Sequence, residues 1–490
     1  MKKSIIHTLY TLVLLNTLLW SQAAYPRKYL FLDDQWIKDS YQVNRIVIQP
    51  AKHPSNPVLV PDKPWEGNDV YVYGTVLYDQ GKFRMWYQIY NSRESADPRF
   101  RTAVAYAESR EGLHWEKPSL GFFKYKGEPT NLVLLSHGTS DLCSPAVIKD
   151  TLERDPSRRY KMLYWDSMSK EDLEKHGPNL PLGTDVPGWR AIPGEGFFIA
   201  YSPDGIRWTN GGPQPVFTCP CDASSLTMGA DGTYWAYFKI SVAEDRHFRI
   251  LGASDSRDFE NWGDPKVILK PDWRDKHGTE FYGMSVFDYA GNTIGLIWVY
   301  YNAPSDKHVD LQLATRDPEG QWQRAGNREV FLPVGREGEW DAGGIYAASN
   351  VLVSPPGHPN EIWLYYGGSS VTHDDSRYRE MVIGRATLRL DGFAAMEAKQ
   401  FKGYFDTKTV VAGGSLLAVN ADCAHGWLQV ELYDAKTQTL LAKSKPIQGL
   451  DATKTFVEWQ QGGKVLLKDR QVFIRFRMQK ARLFSFWFEE

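Results

Sequence analysis

The stretches Ala105–Trp115 (AYAESREGLHW), Ile199–Trp208 (IAYSPDGIRW) and Gly252–Trp262 (GASDSRDFENW) repeat one phrase. Each copy has a short apolar strand, a turn rich in Ser, Asp and Gly, and a tryptophan a few residues later. A weaker copy, LATRDPEGQW, ends at Trp322. Internal repeats indicate that one supersecondary unit recurs and buries its apolar face against its neighbours. The repeated tryptophan is therefore expected to be structural, wedged between adjacent units.

A pair of strand-like runs precedes each copy of the phrase. The pairs are Val72–Asp79 with Lys82–Tyr90, Ser144–Asp150 with Tyr160–Met168, Ser224–Asp231 with Thr233–Ile240, Tyr282–Tyr289 with Thr293–Tyr301, and Tyr346–Ser354 with Glu361–Gly368. The fifth pair leads into Met381–Leu390 without the tryptophan. Gly, Asp, Asn and Pro occupy the turns, and helical periodicity over more than about ten residues is absent. The pattern predicts an all-β fold with five four-stranded blades, a five-bladed β-propeller from Tyr29 to Ala395.

The pattern changes after Gly392-Phe393. From Lys399 to Glu490 the alternating runs are shorter, as in SLLAVNAD and VFIRFRMQ, and they predict an antiparallel β-sandwich. The predicted organisation is thus a propeller over residues 24–398 and a C-terminal β-sandwich over residues 399–490.

Residues 1–23 have the features of a signal peptide. Lys2 and Lys3 form a basic start, Leu9–Trp20 is mostly apolar, and Ser21-Gln22-Ala23 offers small residues for cleavage. The apolar run is shorter than the roughly 20 residues that a spanning helix needs. We expect an exported protein, periplasmic or secreted, with no membrane span in the mature chain. An uncleaved anchor is the alternative.

Composition narrows the classes of partner. Over 490 residues, 57 Lys and Arg balance 59 Asp and Glu, so there is no electrostatic reason to expect nucleic acid or an anionic membrane as partner. Aromatic residues make up 14% of the chain, and their flat faces suit both a strand-rich core and stacking on sugar rings. Four cysteines in a chain of this length, without metal-ligand spacing, predict neither a disulfide scaffold nor a structural zinc site. An oligosaccharide or polysaccharide is the expected partner, and the oligomeric state is not indicated.

The propeller followed by a β-sandwich resembles the glycoside hydrolases of families 32 and 43. The turns of the AYSPDGIRW type and the strand pairs around them carry this resemblance. Trp65-Glu66-Gly67-Asn68-Asp69 resembles a degraded form of the family 32 Trp-Met-Asn-Asp motif, which implies that Asp69 is the base or nucleophile. CPCDASSL stands where that family has Glu-Cys-Pro, and Cys143-Ser144-Pro145 stands where it has Arg-Asp-Pro. These departures favour a substrate other than a fructoside or an ordinary arabinofuranoside.

Hydrolysis of a glycosidic bond requires two carboxyl groups, one to protonate the leaving oxygen and one to act as base or nucleophile. One acidic residue precedes the first strand of each predicted blade: Asp69, Asp141, Asp222, Glu280 and Asp341. Convergence of these side chains on the propeller axis would raise some of their pKa values, as acid catalysis requires. We predict Asp69 as base or nucleophile, Glu280 as acid with Asp222 competing for that role, and Asp141 and Asp341 as substrate ligands.

Three further residues are predicted to contact the sugar: Tyr282, Trp340 and His373. His373 could instead donate a proton. Two other functions remain open at this point. A polysaccharide lyase or sugar dehydratase would use Tyr282 and His373 as acid and base, and a non-catalytic propeller would only bind glycans. No cofactor is expected. A Ca²⁺ ion would suit an oxygen-rich funnel, although no calcium-loop spacing is present.

Overall fold

The structure, a computed structural model, describes residues 27–91, 95, 97–137, 142–177, 192–219, 222–243, 247–304, 306–375, 380–462, 465 and 467–490. Strands dominate this part of the chain, which confirms the prediction of a nearly all-β fold. Its one α-helix, α1 (Lys170–His176), begins after Ser169, whose side chain accepts the Asp172 N–H. Within the same ranges, no helix has the length and apolar character needed to cross a membrane. The predicted signal peptide lies outside the described residues.

The chain opens with four short strands: β1 (Tyr29–Leu30), β2 (Ile37–Tyr41), β3 (Asn44–Val47) and β4 (Ala51–Lys52). Five groups of antiparallel strands follow. Group one contains β5 (Asp69–Asp79), β6 (Lys82–Tyr90), β7 (Thr102–Ser109), the β8 (Lys124–Tyr125) and β9 (Glu128–Pro129) hairpin, and β10 (Leu132–Leu135). Group two contains β11 (Cys143–Lys149), β12 (Tyr160–Ser167), β13 (Glu195–Ser202), β14 (Thr209–Asn210) and β15 (Phe217–Thr218).

Group three contains β16 (Ser224–Met228), β17 (Tyr234–Ala243), β18 (His247–Ser256) and β19 (Lys266–Leu269). Group four contains β20 (Thr279–Tyr289), β21 (Asn292–Tyr301), β22 (Val309–Arg316), β23 (Trp322–Arg324) and β24 (Val330–Leu332). Group five contains β25 (Gly344–Val353), β26 (Glu361–Ser369) and β27 (Met381–Arg389). Its fourth strand is β4 from the beginning of the chain, which pairs antiparallel with β27 through Lys52 and Ala386.

The five groups are arranged in a ring. Their first strands contact one another in the order β5, β11, β16, β20, β25 and back to β5. Five clusters of buried apolar side chains each draw mainly on two neighbouring groups, and one of them joins group five to group one. Most of the core therefore lies between the strand groups, where each sheet face covers the next.

The repeated phrase explains how neighbouring groups attach. In two of the turns a serine, Ser202 or Ser256, and an aspartate two positions later, Asp204 or Asp258, accept the next backbone N–H groups in the same pattern. The Gly205 carbonyl accepts the indole N–H of Trp86 in group one at 2.6 Å. The tryptophans that end these phrases, Trp208 and Trp262, pack against clusters shared by two groups, as predicted.

The remaining strands form two further sheets. They are β28 (Ala394–Ala398), β29 (Gly403–Thr407), β30 (Val410–Val411), β31 (Leu416–Asp422), β32 (Trp427–Asp434), β33 (Leu440–Lys443), β34 (Ile447–Gln448), β35 (Asp451–Phe456), β36 (Gln471–Gln479) and β37 (Ala481–Glu489). One sheet has the order β3-β28-β37-β31-β35 with β1 beside β37, and the other has β2-β29-β36-β32-β33. Side chains from both sheets share one apolar cluster.

The first three strands belong to these C-terminal sheets. β1 pairs with β37, β2 with β29 and β3 with β28. The predicted propeller domain, residues 24–398, includes these three strands and β28, whereas their pairing is with the C-terminal sheets. Short runs without clear alternation do not show which distant strand they join, because sheet pairing depends on tertiary context.

Candidate functional site

The acidic residues of groups three and four lie in one cluster of charged and aromatic side chains. Asp222 stands just before β16 and Glu280 near the start of β20, and these two strands are in contact. The ammonium group of Lys239, on β17, donates to the Asp222 carboxylate. The guanidinium group of Arg249, on β18, contacts the Glu280 carboxylate at 2.7 Å.

Tyr282 connects the two ion pairs. The Lys239 nitrogen lies 4.3 Å from the centre of the Tyr282 ring, and the Arg249 guanidinium carbon lies 5.4 Å from it. At these distances both cations are attracted to the face of the ring. Two carboxylates and two cations are therefore held around one phenol.

His373 enters the same cluster from group five. Its ring lies 4.8 Å from the Tyr282 ring and 5.0 Å from the Tyr300 ring, centre to centre. Its Nδ1 atom is 2.6 Å from the Asp374 carboxylate, which also accepts the Tyr300 hydroxyl at 2.6 Å. We call Asp222, Lys239, Arg249, Glu280, Tyr282, Tyr300 and His373 the central cluster.

The two carboxylates of the central cluster differ in environment. Burial tends to raise the pKa of Asp222, but the charge and hydrogen bond of Lys239, aided by the charges of Arg249 and His373, bring it below its ordinary value. The Asp222 side chain is 41% exposed, whereas that of Glu280 is 1% exposed. Glu280 also accepts the Asn302 amide at 2.6 Å. Asp222 is thus an accessible, ionised carboxylate, and Glu280 is a buried one with two donors.

Asp374 is a second carboxylate held in its ionised form. Burial tends to raise its pKa, but hydrogen bonds from Tyr300, His373 and Lys307 hold the pKa well below its usual range. The same contact with Asp374, added to burial, raises the pKa of Tyr300. Asp374 therefore fixes the orientation of the His373 ring through Nδ1.

The acidic residues of groups one and five lie in different surroundings. Asp69 is buried at the start of β5 and accepts the Met381 backbone N–H of β27 at 2.8 Å. Asp341 is 2% exposed and pairs with Lys52 of β4 at 2.7 Å. It also accepts the Tyr366 hydroxyl at 3.2 Å. The first of these three contacts joins group five to group one, and the other two lie within group five.

Trp340 packs inside group five. Its ring stacks on Tyr366 with centroids 5.5 Å apart, and a side chain at Gly368 would place its Cβ only 2.3 Å from the indole. The glycine leaves room for the indole, and Trp340, which is partly buried, packs against the apolar cluster of groups four and five. Its contact with sugar stays a prediction. Asp141, the predicted substrate ligand of group two, lies outside the described residues.

Sequence reasoning missed the two cations and the amide of the central cluster. Lys239 and Arg249 stand inside strands, where we expected core residues, and Asn302 follows β21. Lys239 is only 5% exposed. The one available signal was a lysine at the end of the apolar run TYWAYFKI, because lysine is seldom buried without a partner.

The described residues contain no group of three or more His, Cys, Asp or Glu side chains arranged to hold a metal ion. The central cluster combines carboxylates with cations that already neutralise them.

No protein-family model matches the chain, and no curated protein sequence is detectably similar to it. Several solved structures are similar in fold. A glycosyl hydrolase from Bacteroides ovatus has 16% identity and a TM-score of 0.46, covering 70% of this chain and 94% of its own. A family 43 arabinoxylan arabinofuranohydrolase from Bacillus subtilis has 13% identity and a TM-score of 0.40, covering 90% and 99%. A family 32 β-fructofuranosidase from Bombyx mori has 12% identity and a TM-score of 0.41, covering 89% and 94%. At these values the assignment of chemistry rests on the side chains.

Proposed function

We propose that the chain is a carbohydrate-active enzyme that hydrolyses a glycosidic bond at the central cluster. In this proposal the five strand groups are the blades of a five-bladed propeller, and the two C-terminal sheets form a β-sandwich. One observation carries the proposal. Asp222 and Glu280, at the starts of neighbouring first strands, are held by Lys239 and Arg249 around a single tyrosine ring. Such a centre offers the fixed charges and proton carriers that glycoside hydrolysis requires.

Asp222 is the proposed base or nucleophile. The role requires an ionised carboxylate that substrate can reach, and Asp222 has a lowered pKa and a partly exposed side chain. Lys239 keeps the carboxylate charged and fixes its orientation. The Asp222 backbone carbonyl is itself held by the Ser144 hydroxyl of group two at 2.5 Å.

His373 is the proposed proton donor, in place of Glu280. Glu280 is only 1% exposed, and its carboxylate is already bound by two donors, the Arg249 guanidinium and the Asn302 amide, so it has no free oxygen directed at a substrate. His373 is in contact with the anionic Asp374 and lies against Tyr282. In this assignment Glu280 positions Arg249 beside the substrate.

The proposed reaction then follows in one displacement. A water oxygen attacks the anomeric carbon and passes its proton to Asp222. The bond between the anomeric carbon and the glycosidic oxygen breaks, and that oxygen takes the proton of His373. If Asp222 itself attacks, water completes the same overall reaction in a second step. Both routes yield one new reducing end for each bond cleaved.

The test is product analysis on a panel of plant and algal polysaccharides and their oligosaccharide fragments. The proposal predicts new reducing ends from at least one of them with the wild-type protein. The Asp222→Asn variant, which keeps the side-chain size, should lose activity by a factor of about 10²–10⁴ per folded molecule, measured after the folded fraction has been determined. Glycan binding without turnover across the panel would contradict the proposal and favour a binding propeller.

A second candidate function is β-elimination from a uronate-containing glycan. The contact between the Tyr282 and His373 rings favours it, because both cations of the central cluster also lie within reach of a uronate carboxylate placed there. Elimination produces an unsaturated sugar that absorbs ultraviolet light, whereas hydrolysis does not. Ultraviolet absorbance that grows with the new reducing ends, and is lost in Tyr282→Phe but not in Asp222→Asn, would establish this function in place of the first.

We also propose that the enzyme acts outside the cytoplasm. The basic start and apolar run of residues 1–23 support this assignment. Detection of a mature chain beginning near Ala24 in the periplasm or medium, by N-terminal sequencing, would test it.

A further inference from the structure

A cleft of about 810 Å³ lies away from the central cluster, between group four and the C-terminal sheets. Its lining comes from the segment after β1 (residues 32–35), from the β22–β24 region (residues 317–328), and from Arg45, Arg274 and Lys408. No residue of the central cluster lines it. A cavity of this volume is within the range of small-ligand sites.

Two arginines that form the floor of the cleft are held in place by ion pairs. Arg324 is 6% exposed and Arg328 is 14% exposed. Both bind Asp275, at 2.9 Å and 3.0 Å, and Arg328 also binds Asp272. Because the carboxylates hold them, the two guanidinium groups are preorganised and lose little freedom when a ligand arrives.

Two arginine side chains of the cleft each have an N–H group without a hydrogen-bond partner. The Nε atoms of Arg324 and of Arg45, which also lines the cleft, are buried without a hydrogen-bond partner. Burying an unpaired donor is unfavourable and is uncommon in folded proteins.

The backbone beside these arginines is strained. Gly326, Asn327 and Arg328 have φ angles of 57°, 54° and 64°, so three successive residues lie in the left-handed region. A side chain at Gly326 would place its Cβ 2.2 Å from Val47, and the Gly326 N–H donates to the Leu32 carbonyl at 2.9 Å. Residues 326–328 thus contact the segment after β1 through Leu32 and the end of β3 through Val47. Backbone strain of this kind is often found at functional sites.

An exposed tryptophan, Trp273, precedes the lining residue Arg274 in sequence. Trp273 is 90% exposed, and the Arg274 guanidinium lies 6.0 Å from its ring. Its neighbours Asp272 and Arg274 point to the cleft, Asp272 through its contact with Arg328 and Arg274 as a lining residue. Trp273 is thus one residue from the cleft lining, and a sugar chain that extends beyond Arg274 could stack the apolar face of a ring on it.

We propose that this cleft is a second, non-catalytic saccharide site that binds a neutral oligosaccharide. The lining carries five basic and four acidic side chains, and the floor arginines are already neutralised by Asp272 and Asp275. A cleft with balanced charge exerts little net attraction on an anion. Sugar hydroxyls both donate and accept, so they fit a lining in which carboxylates alternate with guanidinium and amide groups. The site is independent of the chemistry proposed for the central cluster.

The experiment is titration calorimetry of the full chain with cellohexaose, xylohexaose and mannohexaose. Oligogalacturonate and a sulfated oligosaccharide of similar length are the charged probes. Trp273→Ala and Arg274→Ala, both at exposed side chains, should fold normally and weaken binding of the neutral hexasaccharide by about tenfold. Phe401→Ala is the matched control, because Phe401 is 71% exposed and lies outside the cleft. Asp222→Asn should bind in the cleft as the wild type does.

Hydrogen exchange locates the bound sugar. The proposal predicts added protection in residues 271–275 and 326–328 on binding, in the wild type and in Asp222→Asn alike. It is overturned if none of the three neutral probes binds, if only a charged probe binds, or if Trp273→Ala binds as tightly as Phe401→Ala. A wild-type protein that binds a neutral hexasaccharide in the cleft but cleaves no glycan would contradict the function proposed for the central cluster and leave the proposal for the cleft intact.

Discussion

The acidic residues of groups three and four and those of groups one and five occupy the same place in the repeat, yet their surroundings differ. Asp222 and Glu280 meet Lys239 and Arg249 around an aromatic ring. The buried Asp341 carboxylate is bound by Lys52 and Tyr366, and the Asp69 carboxylate accepts the backbone N–H of Met381 on β27. The position in the repeat determines where the side chain leaves the backbone. The residues brought to it from other strands determine what it does.

The aspartates of the repeated turns, in contrast, have the same surroundings in both copies. Asp204 and Asp258 accept the same pair of following backbone N–H groups in two different groups. Their partners lie two and three positions along the chain, so each copy of the phrase builds the same turn. Local contacts repeat with the sequence, and long-range contacts do not.

The largest expected effect concerns the proton donor. His373→Ala should lower turnover of a natural glycan by about 10²-fold or more, since it removes the proposed acid. An aryl glycoside with an activated leaving group needs no protonation, so the same variant should recover much of its activity there. Turnover of both substrates by His373→Ala and Glu280→Gln checks the assignment. Recovery by Glu280→Gln instead would return the acid role to the carboxylate predicted from sequence.

Asp341→Asn should destabilise the fold without affecting the chemistry. It leaves Lys52 without its buried partner, which should lower the free energy of unfolding by about 2 kcal/mol. Urea unfolding measures the loss, and turnover per folded molecule should remain at the wild-type level. Adding Lys52→Met should restore part of the stability, because the uncompensated charge is then removed. Equal stability of Asp341→Asn and wild type would show that this ion pair does not hold β4 in place.

The pH profile of activity should depend on Lys239. Asp222 must be ionised to act, and its lowered pKa keeps it ionised below the pH at which an ordinary aspartate, of pKa 3.8, takes up a proton. Lys239→Met removes the main lowering influence and leaves burial, which raises the pKa. The acid limb of kcat/KM should therefore move to higher pH in this variant. An unchanged limb would mean that Asp222 is not the group whose ionisation governs activity.

The smallest effects are expected at the repeated turns. Asp204→Ala and Asp258→Ala each remove two hydrogen bonds from backbone N–H groups, and each should cost about 1 kcal/mol of stability. The two losses should be similar, with turnover unchanged. Glu458→Ala, at a side chain that is 74% exposed, serves as the control. A large difference between the two turns would show that the copies are not equivalent.

The parts of the fold that could be predicted are those with local causes. Alternation and turn residues located β20 and β21 closely, since Tyr282–Tyr289 and Thr293–Tyr301 lie within Thr279–Tyr289 and Asn292–Tyr301. They could not reveal that β4 completes group five or that β3 pairs with β28, because these partners are hundreds of residues apart.

The candidate site was predicted in part for the same reason. Asp222, Glu280, Tyr282 and His373 were expected near the centre, and the structure brings them together. The sequence could not distinguish them from Asp341, because the partner that buries Asp341 comes from β4. Sequence reasoning also overlooked Lys239 and Arg249, whose importance depends on strands that pack side by side.

The central claim is that the acids of groups three and four form the active site and those of groups one and five hold the fold. The most direct measurement compares Asp69→Asn, Asp222→Asn, Glu280→Gln and Asp341→Asn for turnover per folded molecule on one glycan that the wild type cleaves. We predict large losses for Asp222→Asn and Glu280→Gln, and near wild-type turnover for Asp69→Asn and Asp341→Asn in the folded fraction. Full activity of Asp222→Asn, or inactivity of fully folded Asp69→Asn or Asp341→Asn, would contradict the claim.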